Sequence, residues 1–352
     1  MRIAFAPYRL IFKEPGGTSR GIMTEKPTFL IKFYDEKEPE YFGIGEASVF
    51  PGLSPEADGR YVDKLVELVA NVALGKDTDL SRHPSIIFGF EQAILDYSNG
   101  CQGKYWPGSF TKGEREILIN GLIWMGSKEE MFNRIQKKLE EGFQCLKLKI
   151  GAIDWEKELE LLEYIRNHYS PEKLILRVDA NGAFSSEEAL RKLTQLAEFE
   201  IHSIEQPIKA GNPEEMARIC KLSPVPVALD EELIGKFTLR EKIETLEKIN
   251  PRYIILKPSL IGGFSGASEW IGEAEKRGIG WWITSALESN VGLNAIAQWT
   301  SHIDATGYQG LGTGGVFINN FITPLRRKGE ILTYDKSVKF DYSQFSDLVW
   351  HS

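Results

Sequence analysis

The chain has 352 residues with 42 basic and 50 acidic side chains, a formal charge of −8. Against a usual domain size of about 100–150 residues, that length allows two domains or one large barrel with an appendage. No basic tract dense enough for a polyanion is present, so nucleic acid is excluded as the main partner and a small substrate or a metal is expected instead.

Apolar residues make up 42% and charged residues 26%, proportions that exclude collagen-like and disordered classes. Cys101, Cys145 and Cys220 are odd in number and far apart, which points to a reducing compartment rather than a disulfide framework. No run approaches the roughly 20 apolar residues needed to span a bilayer, and the N-terminus lacks a signal-like apolar stretch, so no membrane partner is expected and the protein reads as cytoplasmic.

In chain order, three strand-like runs come first: Arg2 to Phe12, Thr28 to Tyr34 and Tyr41 to Val49. The first two are separated by a Gly-, Pro- and Thr-rich stretch at about 14–25, read as a mobile loop that carries Thr18, Ser19 and Arg20. Helical periodicity follows over Tyr61 to Leu74, with Val62, Leu65, Leu68 and Val69, and over Ile86 to Asn99. Residues 1–113 thus read as an α+β capping unit.

From Glu116 the pattern changes to eight short apolar runs, ILINGLIW, CLKLKIG, LILRVDANG, HSIEQPI, VPVALDEEL, YIILKPSLIGG, GWWITSALES and GYQGLGTGG, each followed by an amphipathic stretch long enough for a crossover helix. Alternating β and α units imply a parallel sheet, and eight of them in about 200 residues fit an α/β fold of the closed (β/α)8-barrel type over 114–320. An open doubly wound sheet is the competitor, but no G-x-G-x-x-G follows the first strand. The aromatic-rich tail, 321–352, is expected to return to the capping unit.

Polar residues stand at the C-terminal ends of these runs, where barrel enzymes place their sites. They are Lys147 and Lys149 on the second, Asp179 and Asn181 on the third, Glu205 on the fourth, Asp230 and Glu231 on the fifth and Lys257 on the sixth. A charge inside a strand buried on both faces must be paired or ligate a metal. Asp179, Glu205 and Asp230 converge from adjacent strands, and three carboxylates repel unless a divalent cation lies between them. An all-oxygen set suits Mg²⁺, for which Mn²⁺ can substitute. Three separate ion pairs are the alternative. Lys149 and Lys257 are expected on opposite walls, where a lysine beside other cations is a plausible base; for a lone lysine, pairing with a carboxylate is the alternative. Lys147 should point the same way as Lys149, and Arg177 should support the site from below Asp179.

K-L-K, D-A-N-G, I-E-Q-P, D-E and K-P, in order at near-equal spacing, resemble the enolase superfamily, and within it the muconate-lactonizing-enzyme-like subgroup. The resemblance implies abstraction of a proton α to a carboxylate, with Asp179, Glu205 and Asp230 as metal ligands and Lys149 and Lys257 as the catalytic lysines. The segments 284–293, 310–317 and 45–54 resemble a dehydratase of that subgroup, which implies elimination of water from a succinyl-bearing substrate. Dipeptide epimerases of the subgroup usually carry Asp-x-Asp on the eighth strand, where this chain has Gly312-Thr313-Gly314-Gly315. Racemisation of N-succinylamino acids uses the same machinery and stays open, and a non-catalytic binding protein on the same scaffold is a remote alternative. The succinyl tail is expected near Gly262, Gly263 and Ser285, by a helix start that suits an anion, with Gly312 and Thr313 beside it. Arg20 could face the same anion.

Overall fold

A computed structural model describes residues 1–18 and 21–352, with the backbone alone at 17 and 18. Strands β1 (Arg2–Thr18), β2 (Gly21–Tyr34) and β3 (Phe42–Ala47) form an antiparallel sheet in chain order. The stretch read as a loop at 14–25 is instead strand on both sides of residues 19–20: Gly16 pairs with Met23 and Thr18 with Gly21, after a register shift beyond Ile11. Its turn-forming composition serves paired strand with a bulge rather than an open loop. Ser19 and Arg20 lie outside the described residues.

Helices α1 (Tyr61–Ala73) and α2 (Pro84–Ser98) end within two residues of the expected bounds. Leu65 and Leu68 of α1 are buried as the periodicity requires, whereas Val62 is 44% exposed. Helix α2 lies so close on β3 that a Cβ on Gly45 would sit 2.0 Å from the Gly89 carbonyl oxygen and 2.8 Å from Gln92 Cβ. Gly45→Ala must therefore separate sheet and helix, and we expect a loss of about 1–3 kcal/mol, the usual cost of overpacking a filled interior, read as a lower denaturation midpoint. An unchanged midpoint would show that this contact gives way freely.

The second unit comprises β4 (Ile117–Leu118), β5 (Gly121–Ile123), α3 (Lys128–Glu140), β6 (Cys145–Lys149), α4 (Trp155–His168), β7 (Ile175–Asp179), α5 (Ser186–Ala197), β8 (Ser203–Glu205), α6 (Pro213–Leu222) and β9 (Val227–Leu229). It continues through α7 (Leu239–Ile249), β10 (Tyr253–Leu256), α8 (Pro258–Ile261), α9 (Gly263–Lys276), β11 (Gly280–Ile283) and α10 (Asn290–His302). Local chemistry starts the helices: Ser127 with Glu130 and Thr238 with Glu241 form reciprocal capping boxes at α3 and α7.

Strands β5 to β11 form one parallel sheet in sequential order. Among the described residues the eighth run makes no ladder. It closes the sheet through single bridges on either edge, Gln309 to Ile119 and Gly310 to Thr284, with Asn120 N–H donating to the Gln309 carbonyl at 2.9 Å and Ser285 N–H to that of Gly310 at 3.0 Å.

Beyond the barrel, β12 (Leu325–Lys328) and β13 (Ile331–Tyr334) form a hairpin that pairs with β4. The tail then reaches the capping sheet: Phe5 and His351 exchange backbone hydrogen bonds, the Tyr342 hydroxyl donates to Asp96, and Phe321, Phe340 and Phe345 pack with Leu30 and Ile44.

Candidate active site at the C-terminal ends of the barrel strands

Pairing in the sheet fixes the site. Lys149 stands opposite Asp179, and Asp179 opposite Glu205, each the last residue of its strand, so their side chains share one level. Lys147 lies two residues deeper, opposite Arg177, and faces the same interior because strand side chains alternate. Asp230 directly follows β9 and Lys257 directly follows β10. With the eighth run as the eighth position, β6 and β10 are four places apart, which puts Lys149 and Lys257 on opposite walls. Both line a cavity of about 320 Å³ with Lys147, Asn181, Ser285, Gly312 and Thr313.

The carboxylates are held by ammonium groups. Lys147 Nζ lies 2.8 Å from Asp179 Oδ2 and 2.5 Å from Glu205 Oε2, Lys149 Nζ lies 2.9 Å from the same Asp179 oxygen, and Lys257 pairs with Asp230. Lys149 also donates to Asn181 Oδ1, an amide oriented by its own donation to Glu231 Oε1 at 3.1 Å. Asn181 takes the left-handed conformation at φ 44°, tolerated by Asn in a tight turn.

Electrostatics divide the acids. Burial opposes ionisation of Asp179, but Lys147, then Lys149 and Lys257, outweigh it and hold its carboxyl well below the ordinary range. Burial and then the Asp179 charge push Glu205 well above it. Burial works against the Lys257 ammonium, yet Asp230, Glu205 and Glu231 more than compensate, so its pKa is raised rather than lowered.

Among the described residues no three His, Cys, Asp or Glu side chains are gathered as a metal-ligand group; Lys147 stands between Asp179 and Glu205, and Lys257 pairs with Asp230. The donor set nevertheless fits Mg²⁺. Its members are all-oxygen carboxylates on rigid strand ends, and Glu205 Oε1 is buried with no hydrogen-bond partner, an acceptor of the kind a hard cation satisfies.

Arg177 donates to the Tyr308 carbonyl at 2.8 Å and stacks on Trp282, with its guanidinium carbon 4.0 Å from the ring centroid. It thus joins β7 to the eighth run beneath the site. His202 stacks on Tyr253, and burial followed by the Arg177 charge pushes its pKa down to about 4.

Two sequence-level assignments are corrected. Gly262 and Gly263 do not line the cavity, and the amides of the next two residues of α9 are taken: Phe264 and Ser265 N–H donate to Glu91 of α2 at 2.6 and 3.2 Å. Ser285 does reach the cavity, but its hydroxyl donates to Glu288 Oε2 at 2.6 Å and accepts from Thr313 Oγ1 and Leu287 N–H at 2.8 and 3.1 Å. Its one proton and both lone pairs are spent, so it has none to offer an anionic tail. Of Thr18 only the backbone is described, paired with Gly21.

The residues that make these contacts were not singled out from sequence. Glu46 of β3 accepts from Ser289 N–H at 2.9 Å and Gly292 N–H at 3.0 Å and so caps α10 from the other unit. Its signal is an acid in an otherwise apolar strand. Glu288 ties Ser259, just beyond Lys257, to Ser285. Phe50 and Leu53 from the loop after β3 form an apolar side of the cavity.

The enolase C-terminal domain-like family matches residues 130–323. The o-succinylbenzoate synthase of Desulfotalea psychrophila is 45% identical over 94% of this chain and 98% of that protein. The N-succinylamino acid racemase of Thermus thermophilus is 32% identical over 83% of this chain and 79% of its own length. Among solved structures, MenC from Desulfotalea psychrophila superposes with a TM-score of 0.80 at 41% identity, covering 95% of this chain and 99% of that one. The Bacillus subtilis L-Ala-D/L-Glu epimerase reaches the same TM-score at 19% identity, over 95% and 96% of the two chains, which speaks to the fold alone.

Proposed function

The chain belongs to the enolase C-terminal domain-like family, and from that premise we propose that it is an o-succinylbenzoate synthase. The reaction is syn elimination of water from 2-succinyl-6-hydroxy-2,4-cyclohexadiene-1-carboxylate, a hydro-lyase step that yields 2-succinylbenzoate for menaquinone biosynthesis in the cytoplasm. The observation that carries this reading is the pair of lysines on opposite walls of one cavity above three strand-end carboxylates, in a chain 45% identical across 94% of its length to a synthase.

A proton α to a carboxylate is weakly acidic, and its removal puts a second negative charge on the acid, which must meet preorganised positive charge. Asp179, Glu205 and Asp230 would hold Mg²⁺, which would supply divalent charge to meet the charge that develops. Lys149, in its neutral form and steered by Asp179 and Asn181, takes the α proton. Now an ammonium, it returns that proton to the departing hydroxyl on the same face, so water leaves and the base is regenerated. Lys257, kept cationic by Asp230 and Glu205, faces the ring from the other side and stabilises the enediolate. Phe50, Leu53 and Leu287 shield the ring from water.

With Mg²⁺, the purified protein is expected to convert the cyclohexadiene acid to succinylbenzoate, followed by the rise of the aromatic product's absorbance. A dipeptide brings an ammonium that must shed its water on entry, at a cost of several kcal/mol in order of magnitude without an acidic partner. Gly312, Thr313, Gly314 and Gly315 offer none. Ala-Glu should therefore stay nearly untouched in the same preparation, and efficient epimerisation without dehydration would overturn the assignment. Racemisation of N-succinylamino acids is the second reading, favoured by the facing lysines and by 32% identity to such a racemase.

A further inference from the structure

We propose that the cavity has a cationic side entrance beside β5, through which a dicarboxylate substrate is drawn to the site. This rests on the functional reading above, because it concerns how that substrate arrives.

The cavity is not confined to the barrel mouth. Leu122 pairs with Lys147 and so faces the interior, whereas Gly121 pairs with Leu146 and faces outward, yet both line the same cavity. The space therefore passes around the edge of β5. That passage follows from how the barrel closes: β4, β5 and the eighth run meet through Leu118, Ile119 and Asn120 with Gln309, and above Asn120 no backbone hydrogen bond joins β5 to the eighth run among the described residues. Gly312 borders the split and carries no side chain to fill it. A Cβ there would have only ordinary contacts, Ile119 Cδ1 at 3.6 Å and the Asn120 carbonyl oxygen at 3.7 Å.

Outside the split the lining is basic. Arg134, Lys137 and Lys138 of α3 and Arg327 of β12 line the space, four cations against the two acids Glu14 and Glu141. Glu141 is shared by two of them, Lys138 and Arg327, each at 2.9 Å. Arg134 spends one nitrogen on the Trp124 and Met125 carbonyls, both at 3.0 Å, and its charge acts on Glu130 one turn earlier on α3. Lys137 makes no ion pair among the described residues. A protein of net charge −8 repels a dianion at long range, and a local excess of cations lining a concave path reverses that field where entry occurs. The Ser285 hydroxyl, also on the cavity lining, cannot do this, because it already donates to Glu288.

The test is the ionic-strength dependence of kcat/KM in the Mg²⁺-loaded enzyme, with Lys137→Glu compared with Lys221→Glu, which makes the same charge change at an exposed position on α6 away from the cavity. Wild type and Lys221→Glu should lose kcat/KM steeply with added salt. Lys137→Glu should start about tenfold lower at low salt, through KM with kcat unchanged, and converge with them as screening removes the field. Equal salt slopes in Lys137→Glu and wild type, or a tenfold loss also in Lys221→Glu, would overturn the side entrance while leaving the synthase reading intact. Wild-type enzyme that dehydrates nothing would overturn both.

Discussion

Lys149→Ala is expected to lower kcat by about 10²–10⁴-fold, the range over which a positioned acid or base contributes, with a folded protein and retained Mg²⁺ affinity. The fold should survive because Asp179 keeps Lys147 at 2.8 Å and Asn181 keeps Glu231 at 3.1 Å, so no buried charge is left alone. Lys257→Ala should also cost turnover, for a different reason: it removes a cation that meets the developing charge, and it leaves Asp230 without its recorded partner. The two variants separate in solvent-isotope exchange. A bound substrate analogue in D₂O should exchange its α proton with Lys257→Ala at a reduced rate and with Lys149→Ala not at all. Normal dehydration by Lys149→Ala would assign the base elsewhere.

The site was legible in the sequence because parallel barrel strands are buried on both faces, so Lys147, Asp179 and Glu205 stand out as charges that such strands cannot carry without a reason. Strand alternation placed Lys147 and Lys149 on one side, and both ammoniums do reach the same Asp179 oxygen. Closure of the barrel was legible only as a count of runs; that the eighth closes through Gln309 and Gly310 rather than a ladder depends on partners far away in the chain. The same holds for Glu46, Glu91 and Glu288. Glu46 caps a helix 243 residues away, and no local pattern announces such a partner. The anion subsite proposed at Gly262, Gly263 and Ser285 failed for the same reason: a helix start and a hydroxyl invite an anion in sequence, and here the protein's own carboxylates accept the invitation. At 14–25, Gly and Thr composition reads equally as loop or as paired strand, and only cross-strand pairing of Gly16 with Met23 decides it.

Glu205→Gln should lower Mg²⁺ affinity at least tenfold, since even partners one step removed from a metal are worth about 10–100-fold. The position explains why. Glu205 is buried, burial and the neighbouring Asp179 charge both oppose its ionisation, and its Oε1 has no hydrogen-bond partner. A carboxylate so placed is costly to the metal-free fold and gains its compensation when a divalent cation arrives. Glutamine keeps the shape and removes the charge, and Lys147 retains Asp179 at 2.8 Å, so without Mg²⁺ the variant should melt no lower than wild type. With Mg²⁺ at a hundredfold its dissociation constant the wild type should gain about 2.7 kcal/mol, seen as a rise of a few degrees in Tm, while the variant gains little. Asp179→Asn should lose Mg²⁺ affinity too, but it removes the acid that Lys147 and Lys149 share, and so should melt lower than wild type in the absence of metal. Calorimetric titration showing undiminished Mg²⁺ affinity in both variants would remove the metal site from these strand ends, whatever their effect on turnover.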